Sequence, residues 1–430
     1  MKWIKLNKIE VLSNKIHYIF SVSTNLKRYF SGNNFIIEYP RDISSVPKAV
    51  LAVPFVCNVL PVIWLENAEL QISELDADFY NSIPEFKKGY INMYPDAEFK
   101  GKLIVDNIVE CRKLNQNGVG TLFSGGLDAT TTFLRHLNEK PDLISIWGSD
   151  ITFDNIKGWK PVQNAIDEVA VRYDVDHFNI RSSFREFDKE WELEKTYKNE
   201  LHDGWWHGVK HGIGLLGHAA PIIWIQGIKT LYIASTYSPA DGKVTCASDP
   251  TIDNYVRFCG CQVMHDGFEL GRQGKAKYLV SYHKANPEKN IKLHVCWESK
   301  NGGNCCHCEK CYRTMAAIWI EGDDPKEYGF EYSSDVLKNM KKKMMLECNY
   351  LPYIKKEWIR IQQEMSKNLN MLKMKPYYDD IKWIKSFKFD EPEKNWVRKW
   401  YGFRKAKGIR AKMANFVFYQ KLHRLKERVK

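Results

Sequence analysis

The sequence predicts an α/β fold in which a parallel β-sheet has helices on both faces and carries a four-cysteine element. Three observations predict it: strands alternate with helices between about residues 118 and 234, paired glycines follow the first of these strands, and four cysteines cluster near residue 300. Residues 1–115 are expected to form an N-terminal α+β accessory domain. Residues 116–325 would form the α/β domain itself, and residues 326–430 a basic, aromatic-rich helical C-terminal region.

The composition is that of a globular protein, because 44% of the 430 residues are hydrophobic and 27% are charged. The longest apolar stretch, Ala49–Leu65, is shorter than the roughly 20 residues that a membrane helix needs. No apolar run follows the N-terminal charges, so we expect no secretory signal, no membrane contact and a cytoplasmic location. The 11 cysteines are then expected to be reduced, and clustered cysteines indicate metal ligands.

The net charge of +12 is concentrated in the C-terminal region. Residues 331–430 contain 26 Lys and Arg against 11 Asp and Glu, whereas residues 1–330 contain 38 against 41. A basic segment rich in aromatic residues can grip RNA. It can also be a protein-docking helical pair whose aromatic residues form its core, and this is the interpretation that we favour.

In the N-terminal region, the β-forming runs Lys15–Phe20 and Asn34–Tyr39 predict strands. The stretch Ala49–Leu65 is predicted to form buried strands, since its prolines are unfavourable inside a helix. No catalytic motif is present in this region. We therefore expect residues 1–115 to dock or scaffold.

In the central region the predicted elements follow one another in regular alternation. They are a strand at Val119–Phe123, a helix at Ala129–Leu137, a strand at Leu143–Trp147, a helix at Val162–Tyr173, a strand at His177–Ile180, a helix at Ala219–Gln226 and a strand at Thr230–Ala234. Parallel sheets bind ligands beyond the carboxyl ends of their strands. Three of these ends carry polar residues, Ser124, Asp150 and Ser235, which makes them candidates for ligand contact.

The segment between the first of these strands and its helix reads Ser124-Gly125-Gly126-Leu127-Asp128-Ala129-Thr130. Consecutive glycines let successive backbone N–H groups face one concavity, and the helix start adds unpaired N–H groups and a positive dipole end. We predict an anion site, with hydroxyl donors from Ser124 and Thr130 and with Asp128 as an Mg²⁺ ligand or a cap. The alternative is a tight turn in which Asp128 is simply the N-cap.

Four cysteines, Cys296, Cys305, Cys308 and Cys311, have the spacing C-x8-C-x2-C-x2-C. Cysteines two residues apart in a tight turn bring their sulfurs to one point, and four thiolates complete the tetrahedral coordination of Zn²⁺. Such a closed site stabilises the fold and has no open position for catalysis. An iron–sulfur cluster is the competing assignment. Replacement of one ligand by Cys306 or His307 also stays open.

The sequence Ser-Gly-Gly-X-Asp after a strand resembles the pyrophosphate loop of the N-type ATP pyrophosphatases. With the cysteine spacing, Arg313 and Ala316-Ala317, the chain resembles 7-cyano-7-deazaguanine synthases over about residues 118–325. The resemblance implies the adenine nucleotide α-hydrolase (HUP-like) fold and an ATP-dependent enzyme acting on 7-carboxy-7-deazaguanine. In that family the carboxylate is adenylated, ammonia displaces AMP to give an amide, and a second ATP yields the nitrile. The family usually has Ser or Thr where this chain has Ala129, so one phosphate contact is missing or comes from Thr130.

On this template, candidate residues can be named for each task. ATP, with Mg²⁺, would contact Ser124, Gly125, Gly126, Leu127, Asp128, Thr130 and Asp150, the deazapurine would contact Ser235 and Asp249, and Zn²⁺ would bind Cys296, Cys305, Cys308 and Cys311. Arg272 and Lys275 join Asp128 as catalytic candidates, because they could neutralise the charge on departing pyrophosphate. The alternatives are a solvated basic turn for Arg272 and Lys275, and a plain Asp-Pro turn at Asp249. For the histidines His202, His207, His211 and His218 a structural role is favoured over metal binding.

The synthase core needs neither residues 1–115 nor the basic tail, and in layout the chain resembles deazaguanine-transferring relatives from antiphage operons. We therefore expect a ligase that passes the activated carboxylate to ammonia or to an amine of a protein partner from the same operon. The alternative is a tRNA-modifying enzyme of thiolase or lysidine-synthase type whose basic tail holds RNA. A non-catalytic binding module is the third option.

Overall fold

The computed structural model describes residues 1–32, 35–296, 298–299, 302–347 and 352–388. The chain divides into two compact units, Met1–Glu331 and Tyr332–Lys430, so the boundary predicted near residue 326 lies close to the division. Among the described helices, none is long and apolar enough to cross a membrane.

One sheet contains all the strands named here within the described residues. They are β1 (Trp3–Leu12), β2 (Lys15–Val22), β3 (Phe35–Glu38), β4 (Glu69–Asp76), β5 (Lys102–Val109), β6 (Gly118–Leu122), β7 (Asp142–Trp147), β8 (His177–Ser182), β9 (Ile228–Ala234), β10 (Arg257–Phe258) and β11 (Cys261–Asp266). Their order is β10-β11-β9-β6-β7-β8-β3-β2-β1-β4-β5. Strands β11, β9, β6, β7 and β8 are mutually parallel, as are β1, β4 and β5, and the pairings through β2 and β3 are antiparallel. The predicted α/β class with a mostly parallel sheet is confirmed.

Helices connect these strands in the first unit and form the described part of the second. The first unit contains α1 (Lys48–Leu51), α2 (Val53–Leu65), α3 (Ala77–Met93), α4 (Leu127–Arg135), α5 (Ile156–Tyr173), α6 (Glu190–Leu201), α7 (His211–His218), α8 (Ala220–Gln226), α9 (Pro250–Asp253), α10 (Arg272–Ala285) and α11 (Glu309–Ile320). The second contains α12 (Ser334–Glu347), α13 (Pro352–Lys367), α14 (Leu369–Leu372), α15 (Tyr378–Ile381) and α16 (Trp383–Ser386). All seven strands and helices predicted for the central region are present, as β6, α4, β7, α5, β8, α8 and β9.

The prediction of buried strands over Ala49–Leu65 is wrong, because this stretch forms α1 and α2. Pro54 lies in the first turn of α2, where its missing N–H would have no intrahelical partner. Pro61 does remove an internal hydrogen bond, but every residue of α2 from Val53 to Trp64 is buried. Tertiary burial thus outweighs the helix-breaking tendency, and a helix buried on all sides lacks the periodicity that would have revealed it.

The sheet and its core continue across residue 115, where a domain boundary was predicted. Strands β3 and β8 pair, with Ile37 opposite Ser182. Above this pairing the ring of Phe35 stacks on that of Phe187, with 4.5 Å between the ring centroids. Residues 1–115 therefore belong to the same compact unit as the parallel strands.

The described part of the second unit is helical, as the sequence predicts for residues 326–430. Among its aromatic residues Trp358 is fully buried, while Tyr377, Tyr378 and Trp383 are partly buried. Three further aromatic residues of the C-terminal region, Trp396, Trp400 and Tyr401, lie outside the described residues. Because Trp358 is buried, it is not a surface platform for a base.

Candidate functional site

The strand order reverses beside β6. The chain proceeds from β6 to β7 and β8 on one side, and then returns to place β9 on the other side of β6. In parallel sheets such a reversal opens a crevice at the carboxyl ends of the two neighbouring strands. Here the crevice lies beyond Leu122 of β6 and Ala234 of β9.

Beyond β6 the backbone turns at Gly125, which has φ +73°. This left-handed conformation is costly for a residue with a side chain, and a Cβ atom here would lie 3.4 Å from the Cβ of His294. The Gly125 carbonyl accepts a 2.7 Å hydrogen bond from the backbone N–H of His294. The turn is thereby tied to the segment that leads to the cysteines.

Helix α4 starts directly after this turn, with Gly126 as its N-cap. Asp128 is the second residue of the helix, so the alternative in which Asp128 is the N-cap is wrong. The first N–H groups of a helix lack intrahelical partners, and together with the helix dipole they favour an anion. The Ser124 hydroxyl accepts a 3.4 Å hydrogen bond from the N–H of Gly126 and borders the same space.

The Asp128 carboxylate connects this helix start to two cations on α10. Its Oδ2 accepts a 2.9 Å hydrogen bond from Nη1 of Arg272, and its Oδ1 accepts one of 3.2 Å from Nζ of Lys275. Burial alone would raise the pKa of Asp128, but Lys275 and Arg272 outweigh it and lower the pKa to about 2. Lys275 also donates to the carbonyl of Ser235 after β9. The predicted catalytic residues are therefore in direct contact.

A solvated basic turn does not describe Arg272 and Lys275, since only 6% and 1% of these residues are exposed. Each cation is buried because it has a carboxylate partner, which offsets the cost of removing charge from water. Ion pairs of this kind hold side chains in fixed positions.

Asp128 and Arg272 border a cavity of about 260 Å³, which we call the glycine-loop cavity, whereas Lys275 and Gly125 lie outside its lining. Of the predicted residues, it is lined by Ser124, Gly126, Leu127, Asp128, Asp150 and Arg272. The cavity is also lined by side chains that were not predicted as site residues, namely Trp159, Trp206, His211, His294 and Lys310. They come from separate elements, and no local pattern in the sequence marks them.

His211 lines this cavity with a buried ring whose Nδ1 lacks a hydrogen-bond partner among the described residues. Burial lowers the pKa of His211 to about 4, so its imidazole is neutral at pH 7. The ring meets Trp206 edge to face, with 5.1 Å between centroids. A neutral imidazole with an unused nitrogen is suited to a hydrogen bond with a ligand.

Thr130, predicted as a phosphate contact, lies outside the cavity lining. It is buried, with 3% exposure, and its hydroxyl has no hydrogen-bond partner among the described residues. The neighbouring Thr131 hydroxyl donates to the Leu127 carbonyl within α4. This geometry therefore does not support the prediction that Thr130 supplies the phosphate contact that is missing at Ala129.

A second pocket, of about 230 Å³, borders the other side of the segment after β9. Ala234 and Thr236 line the glycine-loop cavity, whereas Ser235 and Tyr237 line the second pocket. Its further hydroxyl groups belong to Ser238, Ser248 and Thr251, and we call it the hydroxyl pocket. The predicted substrate residues Ser235 and Asp249 both border it.

Local hydrogen bonds already engage these two residues. Asp249 is the N-cap of α9, and its Oδ1 accepts bonds of 2.9 Å and 2.6 Å from the N–H and hydroxyl of Thr251. The Ser235 hydroxyl donates to the Tyr237 carbonyl at 2.6 Å. Asp249 thus caps a short helix, and the same residue also borders the pocket.

The four predicted metal ligands converge in space. Their sulfur atoms all lie within 4.8 Å of one another. The Sγ atoms of Cys296 and Cys308 are 3.8 Å apart, and those of Cys305 and Cys311 are 3.9 Å apart. Zinc–sulfur bonds of about 2.3 Å in a tetrahedron require sulfur separations of about 3.8 Å. The cluster can therefore bind a metal ion such as zinc.

Cys306 and His307 lie inside this segment but outside the four-sulfur group. The Cys306 sulfur contacts the Asn304 carbonyl at 3.6 Å, and the His307 Nδ1 lies 2.6 Å from the Cys305 carbonyl. The Cys306 sulfur is thus directed to the local backbone, whereas His307 also lies with Glu298 and Cys305 in a second, more exposed group of possible metal ligands.

The four histidines considered above do not form a metal site in the described residues. His202 pairs with Asp96, His207 with Asp203 and Tyr237, and His218 with Ser182 and the Gly214 carbonyl. The structural role favoured by the sequence fits these three, whereas His211 belongs to the glycine-loop cavity.

An array that the sequence did not reveal joins Ser145, His177 and Asp167. The Ser145 hydroxyl lies 2.7 Å from Nε2 of His177, and Nδ1 of that ring lies 2.6 Å from the Asp167 carboxylate. These are the distances of a hydrolase triad. Ser145, however, lies in the middle of β7 with 1% exposure, so no substrate carbonyl can reach it.

Comparisons with known proteins identify no relative: no family model, no curated protein and no solved structure matches the chain.

Proposed function

We propose that the chain is an ATP-dependent ligase that adenylates the carboxylate of 7-carboxy-7-deazaguanine, or of a similar base, and transfers the acyl group to a nitrogen nucleophile. One observation carries the proposal: Asp128 holds Arg272 and Lys275 beside the Gly125 turn and the start of α4. Cations, backbone N–H groups and a helix N-terminus thus converge on one cavity. A polyphosphate needs this environment.

In this proposal Asp128 is a positioning residue. Two cations already bind its carboxylate, so its task is to hold them and not to coordinate Mg²⁺ itself. Mg²⁺ would bind between phosphate oxygens and Asp150, whose exposed carboxylate borders the cavity. Arg272 and Lys275 would stabilise the charge that develops on the leaving pyrophosphate.

The hydroxyl pocket would take the deazapurine. Both local hydrogen bonds to Asp249 end on Oδ1, so Oδ2 is the atom that would accept an N–H of a guanine-type base. The segment from Ala234 to Tyr237 borders both this pocket and the glycine-loop cavity, and its residues alternate between the two. A base in one and a nucleotide in the other could meet at the strand ends.

The reaction consists of two displacements. First, a carboxylate oxygen of the base bonds to the α-phosphorus of ATP, and the bond from that phosphorus to the β-phosphate bridge breaks to release pyrophosphate. Next, an amine attacks the acyl carbon, AMP leaves with the bonding electron pair, and the nitrogen loses a proton. Ammonia as nucleophile gives a primary amide that a second ATP can convert to a nitrile, whereas a protein amine gives a secondary amide that cannot follow that path.

Because residues 331–430 carry a large basic charge, tRNA is a second candidate acceptor. For a tRNA-modifying enzyme, removing residues 332–430 would abolish a salt-sensitive affinity for tRNA. The burial of Trp358 favours the first candidate, because one of the aromatic residues that would stack on bases lies in the core.

The test is to incubate the protein with ATP, Mg²⁺ and 7-carboxy-7-deazaguanine and to measure AMP and pyrophosphate. We expect turnover that falls roughly 100-fold or more in Asp128→Ala, because both cations lose their anchor. Asp174→Ala is the matched control, since that carboxylate is exposed and pairs with an exposed lysine. Absence of AMP formation by the wild-type protein with any carboxylated deazapurine would refute the proposal. Mass spectrometry of the operon partner then separates conjugation from nitrile formation.

A further inference from the structure

The cysteine cluster and the glycine-loop cavity share a wall. Cys296, one of the four sulfur residues, itself lines the cavity. Lys310, which lies in the chain between the ligand candidates Cys308 and Cys311, lines it as well. His294, two residues before Cys296, holds the Gly125 turn through its backbone N–H. A metal ion bound by the cysteines would therefore position three contacts of this cavity.

The start of α11 directs Lys310 away from the sulfurs. Cys308 is the N-cap of this helix, and its sulfur accepts the N–H of Cys311 at 3.4 Å. One turn after Lys310, the hydroxyl of Thr314 donates to the Lys310 carbonyl at 2.8 Å and accepts a 3.2 Å bond from Nη2 of Arg272. The face of α11 that carries Lys310 and Thr314 is thus the face that meets Arg272.

The charges of the cavity favour an anion once Lys310 is included. The lining contains the cations Arg272 and Lys310 and the carboxylates Asp128 and Asp150. Lys275 lies outside the lining but is bound to Asp128, so three cations stand against two carboxylates. Lys310 is in electrostatic range of both carboxylates and of Arg272. Arg272 and Lys275 of α10 are bound to Asp128, and Lys310 lines the same cavity from the start of α11. A polyphosphate in the cavity would meet cations from both helices.

We infer that Lys310 is a phosphate-binding residue positioned by the cysteine metal centre, and that metal binding and nucleotide binding are therefore coupled. The inference rests on the proposed function, because it requires a nucleotide in this cavity. Coupling of two sites is reciprocal: if the metal strengthens nucleotide binding, the nucleotide strengthens metal binding by the same factor. A metal that only stabilised a remote part of the fold would not show this relation.

The test compares Lys310→Met with Lys326→Met, a change of an exposed lysine beyond the end of α11. Nucleotide affinity is followed by the fluorescence of Trp159 and Trp206, which line the cavity, and zinc content by elemental analysis. We expect Lys310→Met to keep its zinc, to bind ATP roughly 10- to 100-fold more weakly, and to bind AMP with little change. Lys310→Arg should restore most of the ATP affinity, which separates lost charge from damaged folding.

A second measurement tests the coupling itself. Saturating ATP should raise the zinc affinity of the wild-type protein, measured at equilibrium against a competing chelator, by roughly 5-fold or more, and it should have a much smaller effect in Lys310→Met. An unchanged zinc affinity with ATP bound would overturn the coupling. Equal ATP affinities of wild type and Lys310→Met would overturn this inference and leave the proposed function standing. Failure of the wild-type protein to bind ATP at all would overturn both.

Discussion

The two pockets on either side of the segment from Ala234 to Tyr237 are similar in volume, about 260 and 230 Å³, but differ in chemistry. The glycine-loop cavity has buried cations, a carboxylate that holds two of them, and a helix start. The hydroxyl pocket is lined by hydroxyl groups, the capping carboxylate of Asp249, Lys243, His265 and several apolar side chains. The first is suited to a polyanion and the second to a smaller ligand with several hydrogen-bonding groups. Successive residues of the segment after β9 line the two pockets in alternation, Ala234 and Thr236 the first and Ser235 and Tyr237 the second.

The largest expected effect concerns the cysteine cluster, which borders the glycine-loop cavity through Cys296. Cys308→Ser removes one of the four sulfurs, and we expect zinc content to fall from about one ion per chain to near zero, with a marked loss of thermal stability. Elemental analysis and thermal unfolding measure both. Cys306→Ser is the matched control, since that sulfur is outside the cluster, and it should retain the metal. Loss of zinc in both variants would contradict the assigned ligand set.

The next effect concerns the anchor of the cations. Asp128→Asn should destabilise the protein by about 2 kcal/mol at pH 7, because the pKa of Asp128 is lowered from 3.8 to about 2 in the folded state. Because folding lowers this pKa, the ionised carboxylate stabilises the folded state fully only at pH values above the unfolded pKa of 3.8. This stabilisation is lost as the pH falls toward the folded pKa of about 2. The difference in free energy of unfolding between wild type and variant should therefore narrow over this range. A difference that is constant with pH would show that the carboxylate charge is not the cause.

A third prediction concerns the turn that opens the same cavity. Gly125→Ala places a side chain at φ +73°, which costs roughly 1–2 kcal/mol, and brings a Cβ to 3.4 Å from His294. We expect lower stability and weaker ATP binding, with no change in zinc content. Gly303→Ala is the control, because no atom lies within 4 Å of the added Cβ. If Gly125→Ala bound ATP as tightly as wild type, the turn would have no part in the site.

The smallest effect tests whether the pockets are chemically separate. Asp249→Asn keeps a good N-cap for α9 but replaces the negatively charged acceptor, so affinity for the deazapurine should fall roughly 10-fold while ATP affinity is unchanged. Arg272→Gln should show the reverse pattern. Isothermal titration of each ligand against each variant measures both. Equal losses of affinity for the two ligands in either variant would show that the two pockets act as one site.

The parts of this molecule that depend on near neighbours in sequence could be predicted. The alternation of strands and helices, the glycine turn before α4 and the C-x8-C-x2-C-x2-C spacing each lie within short stretches, and each element was found in the expected place. Helix α2 could not be predicted in this way, because burial on all sides removes its periodicity and outweighs the hydrogen bond lost at Pro61. The burial of Thr130 could not be predicted either, because its position in the sequence suggested a phosphate contact whereas its side chain lies inside the fold.

By itself, the sequence determined which chemical groups are present and which short segments adopt strand, turn or helix, because those preferences arise from residues within a few positions of one another. Only the tertiary structure decided which groups meet. Asp128 contacts Arg272 and Lys275 across 144 and 147 residues, and His211 and Lys310 enter the same cavity from other helices. The physical reason is that the packing of strands β6 and β9 and helices α4 and α10 brings these distant residues together, and a one-dimensional pattern contains no signal for that packing.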